Sequence, residues 1–320
     1  MAQKLVLERL SNYLIGRSVF EFEQARSEAF RARFLAFGGN MPRYANQMFA
    51  GLEMAALDLQ GKILDRPAWD LLGGAVRQEV GYFYFLQGET IAALVEDARH
   101  AVARQHPILY LKVGVDERYD LEAVEAVREA AGNTRIRLDA NEAWEPAVAL
   151  RMIKALQPFD IEYIEQPTPS WSLESLKQVK QRSPVPLGAD QSVFTLHEVF
   201  QACALRAADM IAVGPREVGG LRPMIKAAGI IEGAGLNLCI HSSMSTGITT
   251  CAEHHLGRAV PNLDDGNQIM CQLLERDIVR SPSLSPHKGK LSLPSKPGLG
   301  VELDQSAIEQ AAESFKRFNH

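Results

Sequence analysis

Arg135-Ile136-Arg137-Leu138-Asp139-Ala140-Asn141 is a short apolar run that stops on a carboxylate. The same event recurs along the chain. Ile161 to Ile164 runs into Glu165, and Val185 to Ala189 runs into Asp190. Upstream, Leu109-Tyr110-Leu111 runs into Lys112. The interval is nearly constant at about 25 residues, the length that one strand, one helix and two loops fill. If the four strands are parallel in a barrel, Lys112, Asp139, Glu165 and Asp190 share one rim, and that rim is where barrel enzymes do chemistry. The period continues at similar intervals to Gly214, His241 and Asp265. It is a period of strand–helix units, because no sequence repeat accompanies it.

Working outward, the barrel is expected to begin with Gly81-Tyr82-Phe83-Tyr84-Phe85-Leu86, one strand buried on both faces. Thr90 can cap the helix that follows, and further helices are expected over 120–131, 145–156, 172–182 and 196–207. The late strands are 209–213, 236–241 and a short eighth ending near Asp264-Asp265. Residues 1–75 read as helical. In Tyr44 to Lys62, Phe49, Leu52, Ala56 and Leu59 recur as a stripe expected to be buried, and Gly61 is a helix-ending signal. From about His287 the chain turns Pro- and Gly-rich, and a polar helix from Asp304 to Phe318 closes it, expected to pack outside the barrel on the N-terminal segment. The expected division is a capping domain over 1–75, completed by 287–320, and a barrel over 76–286.

The 320 residues are 46% hydrophobic and 23% charged, with a net charge of −5, the balance of an ordinary globular chain. No basic run stands out, so a nucleic-acid partner is not expected. No apolar run reaches membrane-spanning length, and residues 1–9 carry charge where a signal peptide would be apolar. The four cysteines lack close metal-type spacing and read as reduced thiols. A cytoplasmic protein without membrane or nucleic-acid partners is the expectation, forming a homo-oligomer and meeting a small-molecule substrate.

Three carboxylates converging from neighbouring strands repel one another unless something positive lies among them. A hard divalent cation answers that need: magnesium takes oxygen ligands at about 2.0–2.1 Å and keeps positions open for substrate. With no Cys or His in the trio, zinc fits poorly. Taken singly, each acid reads as a solvated loop start or helix cap; the unbroken period across three successive units reverses that in favour of the metal reading for Asp139, Glu165 and Asp190. Lys112 alone would be a surface cation, but beside a bound cation and partly buried it becomes a general base. Tyr110 shares its face and can hydrogen-bond nearby or simply pack. His241 is either a satisfied rim histidine or a proton donor and acceptor across from Lys112. Arg137 points into the barrel by alternation, where it is expected to pair with a carboxylate below the metal.

With those residues in place, the chain resembles the mandelate racemase/muconate lactonizing branch of the enolase superfamily over essentially its whole length. Residues 55–62 and Leu71-Leu72-Gly73-Gly74 resemble the family's pre-barrel helix and linker. Leu111-Lys112-Val113-Gly114 resembles the base motif, and Asp139-Ala140-Asn141, Ile164-Glu165-Gln166-Pro167 and Ala189-Asp190-Gln191-Ser192 the three ligand motifs. Gly219-Gly220 and Pro297-Gly298-Leu299-Gly300 match further landmarks. The resemblance implies an α+β capping domain on a modified TIM barrel, (β/α)7β, with Mg²⁺ stabilising the enediolate formed when a base takes the α-proton of a carboxylate. Departures are equally specific. Tyr110 replaces the first lysine of the family's Lys-x-Lys, Gly214 stands where relatives carry lysine or aspartate, and Gln191 stands where glutamate often follows the third ligand. His241 therefore lacks the family's aspartate partner, and the two-lysine mechanism is excluded. The family also begins roughly fifty residues earlier, so the capping domain is expected to look truncated at its N-terminus.

The expectation is a Mg²⁺-dependent lyase or isomerase acting on a hydroxy acid or sugar acid, with Lys112 and His241 catalytic. Tyr110, Asn141, Gln191 and Asp265 are candidate substrate contacts or supports. Dehydration is favoured over racemisation and cycloisomerisation, because a histidine without a carboxylate partner can still protonate a leaving hydroxyl. A non-catalytic metal-binding relative and a metal-dependent aldolase on an unrelated barrel are the alternatives.

Overall fold

Alternate residues along each central strand enter different cores, and this alternation aims the strand ends. The structure, a computed structural model, describes residues 10–37, 41–242 and 244–318. Among these, seven strands form one parallel sheet in sequence order: β2 (Tyr84–Phe85), β3 (Ile108–Lys112), β4 (Arg135–Asp139), β5 (Ile161–Glu165), β6 (Leu187–Ala189), β7 (Met210–Val213) and β8 (Asn237–Ile240). Leu109, Leu111, Ile136, Leu138 and Ile164 face outward into the main core. Phe83, Ile108, Tyr110, Tyr163, Met210, Ala212 and Cys239 face inward and form a separate core. Runs apolar on both faces are what a sheet covered by helices requires.

The outer layer is α3 (Ile91–Ala103), α4 (Glu117–Ala131), α5 (Pro146–Leu156), α6 (Leu173–Lys180), α7 (Leu196–Leu205), α9 (Leu221–Gly233) and α10 (Gly247–Ala259), with a four-residue helix α8 (Pro215–Val218) before α9. Side-chain oxygens of Thr90, Asp116, Ser172 and Thr195 accept the first free N–H groups of α3, α4, α6 and α7.

The sheet closes on itself through residues 262–268. Leu238 N donates to Asn262 O at 2.9 Å, Gln268 N to Ile240 O at 3.0 Å, and Phe83 N to Asn267 O at 3.1 Å. The expected single first strand is two pieces. β1 (Val80–Gly81) pairs antiparallel with β10 (Lys290–Leu291), and β2 pairs with β3. The chain switches partners where Gly81 passes so close to the closing segment that a Cβ would lie 2.0 Å from Asp265 O. β9 (Val279–Ser281) and β11 (Glu302–Leu303) form a further antiparallel pair, and α11 (Gln305–Phe318) follows. No helix of the described residues is long and apolar enough to cross a membrane, and all four cysteines are buried and unpaired.

The N-terminal helices are α1 (Phe22–Phe37) and α2 (Met41–Leu64). Two sequence expectations for α2 are corrected. Phe49 and Ala56 are buried in a cluster with α1, but Leu59 is exposed. The deeper face of α2 carries Leu57 and the polar Glu53 and Gln60 against the barrel. Gly61 does not end the helix, which continues to Leu64; glycine is needed there because a Cβ would lie 2.6 Å from the backbone of Gly298. Gly298 N donates to Arg66 O and Leu299 N to the Asp58 carboxylate. The Pro297–Leu299 turn therefore docks on α2, whereas α11 is mostly exposed and approaches the Arg276–Ile278 strand entry.

Alanine in a helix normally stabilises by about 1 kcal/mol over glycine. Here overpacking against rigid backbone, costing about 1–3 kcal/mol, outweighs it. Gly61→Ala is expected to lower the urea midpoint of unfolding; an unchanged or raised midpoint would show that the turn yields.

Candidate active site

Strand register delivers the rim. Lys112 pairs with Asp139 across β3 and β4, Asp139 with Glu165 across β4 and β5, and Glu165 with Gly188 across β5 and β6. Asp190 follows Gly188 by two positions, on the same face by alternation. Gly214 and His241 directly follow β7 and β8. Lys112 thus flanks the trio of acids on one side, and His241 on the other.

Asp139 is the most heavily bonded of the three. Its Oδ2 accepts from Tyr110 Oη at 2.7 Å, from Asn141 Nδ2 at 3.0 Å and from Lys112 Nζ, and its Oδ1 accepts from Asn141 N at 2.8 Å. Lys112 Nζ also donates to Asn141 Oδ1 at 2.6 Å and lies 5.9 Å from the centre of the Phe85 ring. Phe83 stacks on Tyr110 from below, centroids 4.2 Å apart. Burial, with Glu165 and Asp139 nearby, pushes the Tyr110 phenol well up, so it stays a donor.

Glu165 and Asp190 are 3% and 4% exposed. Burial first and the neighbouring carboxylates second, Asp139 and Asp190 for Glu165, push the Glu165 carboxyl well above the ordinary range. Burial, Asp139 and Glu217 do the same to Asp190. Gln166, fully buried, fixes the approach of Asp190: its Oε1 accepts from Asp190 N at 3.0 Å and Ser192 Oγ at 2.9 Å, while its Nε2 donates to Thr168 O.

His241 Nδ1 lies 3.4 Å from Asp190 Oδ1 and 3.7 Å from Glu217 Oε1. His241 therefore has two carboxylates near its Nδ1, neither hydrogen-bonded to it among the described residues, and the second is Glu217. The residue comes from α8 rather than from the strand end. Glu217 is 3% exposed; its Oε1 accepts from Arg216 Nε at 2.8 Å and its Oε2 from Gly214 N at 2.9 Å. A Cβ at Gly214 would lie 2.2 Å from His241 O and 2.8 Å from Glu217 Oε2. The glycine makes room for the glutamate of the helix that follows. A glutamate in the first turn of a helix reads from sequence as a cap partner, and only its approach to His241 reveals the second neighbour.

One expected site residue falls elsewhere. Asp265 is 64% exposed in its side chain and bonded to Arg135 Nη2 at 2.6 Å, at the start of β4 and so at the far end of the barrel. The eighth segment reaches the rim at Gln268, later in the chain than the sequence period suggests, and Gln268 Oε1 accepts from Ser242 N. Gln191 follows Asp190, and its buried Oε1 has no hydrogen-bond partner among the described residues. Arg137 does meet carboxylates, Glu162 and Asp264, each at 2.7 Å.

Two family models match. Residues 93–307 match the enolase C-terminal domain-like model and residues 1–73 the mandelate racemase/muconate lactonizing enzyme N-terminal domain. The chain belongs to the mandelate racemase/muconate lactonizing enzyme family. It is accordingly an enzyme of the enolase superfamily. Muconate cycloisomerase 1 of Rhodococcus opacus is 32% identical over 83% of this chain and 72% of its own. An L-Ala-D/L-Glu epimerase of Clostridium acetobutylicum is 27% identical over 79% and 71%. A solved muconate lactonizing enzyme superposes with a TM-score of 0.86 at 30% identity, over 94% of this chain and 82% of its own. These relatives are isomerases by name, which places this chain nearer that class than the expected dehydratases.

Family members generally take Mg²⁺, and the donor set here fits a hard cation: three buried carboxylates with no softer ligand among them. Among the described residues, no three such groups are yet drawn to coordinating distance; Asp139 is turned onto Lys112. The raised carboxyls of Glu165 and Asp190 fix the sign of the pH dependence. Their contribution to stability is present in full below the ordinary carboxylate range and is lost as pH rises through the raised values. A cation relieves that loss. Added Mg²⁺ is expected to raise the melting temperature more near about pH 8 than near about pH 5; an equal effect at both would detach the cation from these two acids.

Proposed function

We propose that this enzyme racemises or epimerises a small carboxylate, a hydroxy acid or sugar acid in the first instance, by 1,1-proton transfer between Lys112 and His241. The observation that carries the reading is the pair of proton carriers flanking the acid trio, each with carboxylate nearby: Lys112 bonded to Asp139, and His241 with Asp190 and Glu217 within 3.4 Å and 3.7 Å of its Nδ1. The sequence argument for dehydration takes His241 to stand without a carboxylate, and the approach of Asp190 and Glu217 to its Nδ1, at 3.4 Å and 3.7 Å, favours a proton-accepting role instead.

Asp139, Glu165 and Asp190 would hold Mg²⁺, with Asp139 releasing Lys112 as it does so. When bound, the cation supplies a positive charge beside the substrate carboxylate and stabilises the negative charge that develops as the α-proton leaves. The Lys112 amine then takes the α-proton from one face. The C–H bonding pair moves onto the substrate carboxylate, and the His241 imidazolium returns a proton to the other face. For the opposite enantiomer the roles exchange. Tyr110 and Asn141 hold the Asp139 carboxylate and orient Lys112, and Glu217 with Asp190 orients the imidazole.

Positioned acid–base groups contribute about 10²–10⁴-fold, and the experiment reads each face separately. In D₂O, wild type is expected to wash the α-hydrogen from both enantiomers of an accepted acid. Lys112→Ala should stop exchange from one enantiomer by about 10²-fold or more while sparing the other, and His241→Asn the reverse. If each variant stops both, one base serves a cycloisomerisation or dehydration instead; absence of exchange in wild type across hydroxy, amino and sugar acids would end the proposal.

A further inference from the structure

Three side chains of the N-terminal helices grip a single turn of the barrel. Arg26 of α1 donates from Nη1 to Gly219 O at 3.3 Å, and Asn46 of α2 donates from Nδ2 to Glu217 O at 2.7 Å. Glu53 of α2, fully buried, accepts from Leu221 N at 2.6 Å and Arg222 N at 3.0 Å. The turn is shaped to be gripped. Gly219 and Gly220 have φ of 97° and 134°, where side chains are strained. A Cβ at Gly219 would lie 3.0 Å from Asn46 Oδ1, and one at Gly220 would lie 2.5 Å from Glu53 Oε2.

Capping α9 does not by itself explain this arrangement. A serine or aspartate at position 220 would cap the helix locally. Instead that position is glycine, and the accepting carboxylate belongs to a residue 168 positions away from the Leu221 N–H. The gripped segment carries Glu217 on a four-residue helix, a single turn too short to hold itself in place. Arg222 extends the grip, donating from Nη2 to Gln60 Oε1 at 2.6 Å.

We infer that Asn46 and Glu53 are positioning residues that hold Glu217 beside His241, 3.7 Å from its Nδ1. The N-terminal helices thereby set the orientation of the imidazole without touching substrate. The inference rests on the role proposed above for His241, and its consequences are lopsided: loosening the grip impairs the His241 face and leaves the Lys112 face, on the far side of the acid row, as it was.

Asn46→Asp keeps the side chain's size but has no N–H to give, and Asn46→Ala removes it. Both are read by amide hydrogen exchange, by α-proton exchange from each enantiomer, and by the ring ¹⁵N signals of His241. The expected result is faster amide exchange confined to residues 216–222, a fall of about tenfold on the His241 face, and less than about twofold on the Lys112 face. A loosened turn with both faces falling alike, or with neither falling, would overturn the inference. If wild type exchanges no α-proton at all, the proposed reaction fails separately. The ¹⁵N signals then decide the grip: a shift in the variants supports it, and unchanged signals overturn it.

Discussion

Mutual repulsion among Asp139, Glu165 and Asp190 is the constraint on which the rest of the site depends. All three are almost fully removed from water, so none can be stabilised by solvent, and their neighbours must compensate. Compensation is uneven. Asp139 has Tyr110, Lys112 and Asn141 bonded directly to it, and Asp190 has His241 beside it. Glu165, in the middle of the row, has no cation bonded to it among the described residues; Lys112 and His241 act on it through space. The central acid is therefore the one that most requires an added positive charge.

The barrel keeps this charge problem separate from a second one at its far end. Arg137 is fully buried beneath the acids, but its guanidinium is committed to Glu162, Asp264 and Gly266 O. Between the two charge clusters lies the inward layer of Phe83, Tyr110, Tyr163, Met210 and Cys239. Tyr163 carries the Arg137 charge on its ring face, 4.8 Å from the centroid. Arg137 so occupied cannot neutralise Asp139, although the two share a strand and a face. Burying an arginine with its partners is costly unless every donor is met, and here the closing segment supplies both an aspartate and a carbonyl. The same segment that closes the barrel thus satisfies its buried cation.

Much of this is legible in the sequence, and the reason is periodicity. A barrel that must present one residue to the rim with each strand–helix unit leaves a regular mark, and Lys112, Asp139, Glu165, Asp190 and His241 all stand on it. What escapes is whatever depends on contact rather than spacing. Gly61 looks like a helix stop because glycine usually is one; its reason is the backbone of Gly298, from the other end of the chain. Leu59 looks buried because it continues an apolar stripe, but α1 covers only the first part of that stripe. Asp265 has the right interval and the wrong end of the barrel, because residues 262–268 bridge their neighbours without forming a regular strand. Glu217 leaves no signal at all, since a carboxylate early in a helix has an ordinary local explanation.

Glu217 also bears on how reactions diverge within one fold. A carboxylate partner at the end of β7 would be held by the sheet, the most rigid element available. With Gly214 there instead, the carboxylate comes from one turn of helix further along, and its oxygens reach both the Gly214 N–H and the neighbourhood of His241. The displacement transfers control of the imidazole's surroundings from the barrel to whatever holds that turn. In this chain α1 and α2 hold it, through Arg26, Asn46 and Glu53. A segment that reads as a cap beside the barrel is thereby a mechanical part of one proton-transfer face. Substitutions in α2 that never approach the substrate can therefore shift the balance between the two faces, while the acid row and Lys112 remain as the sheet sets them.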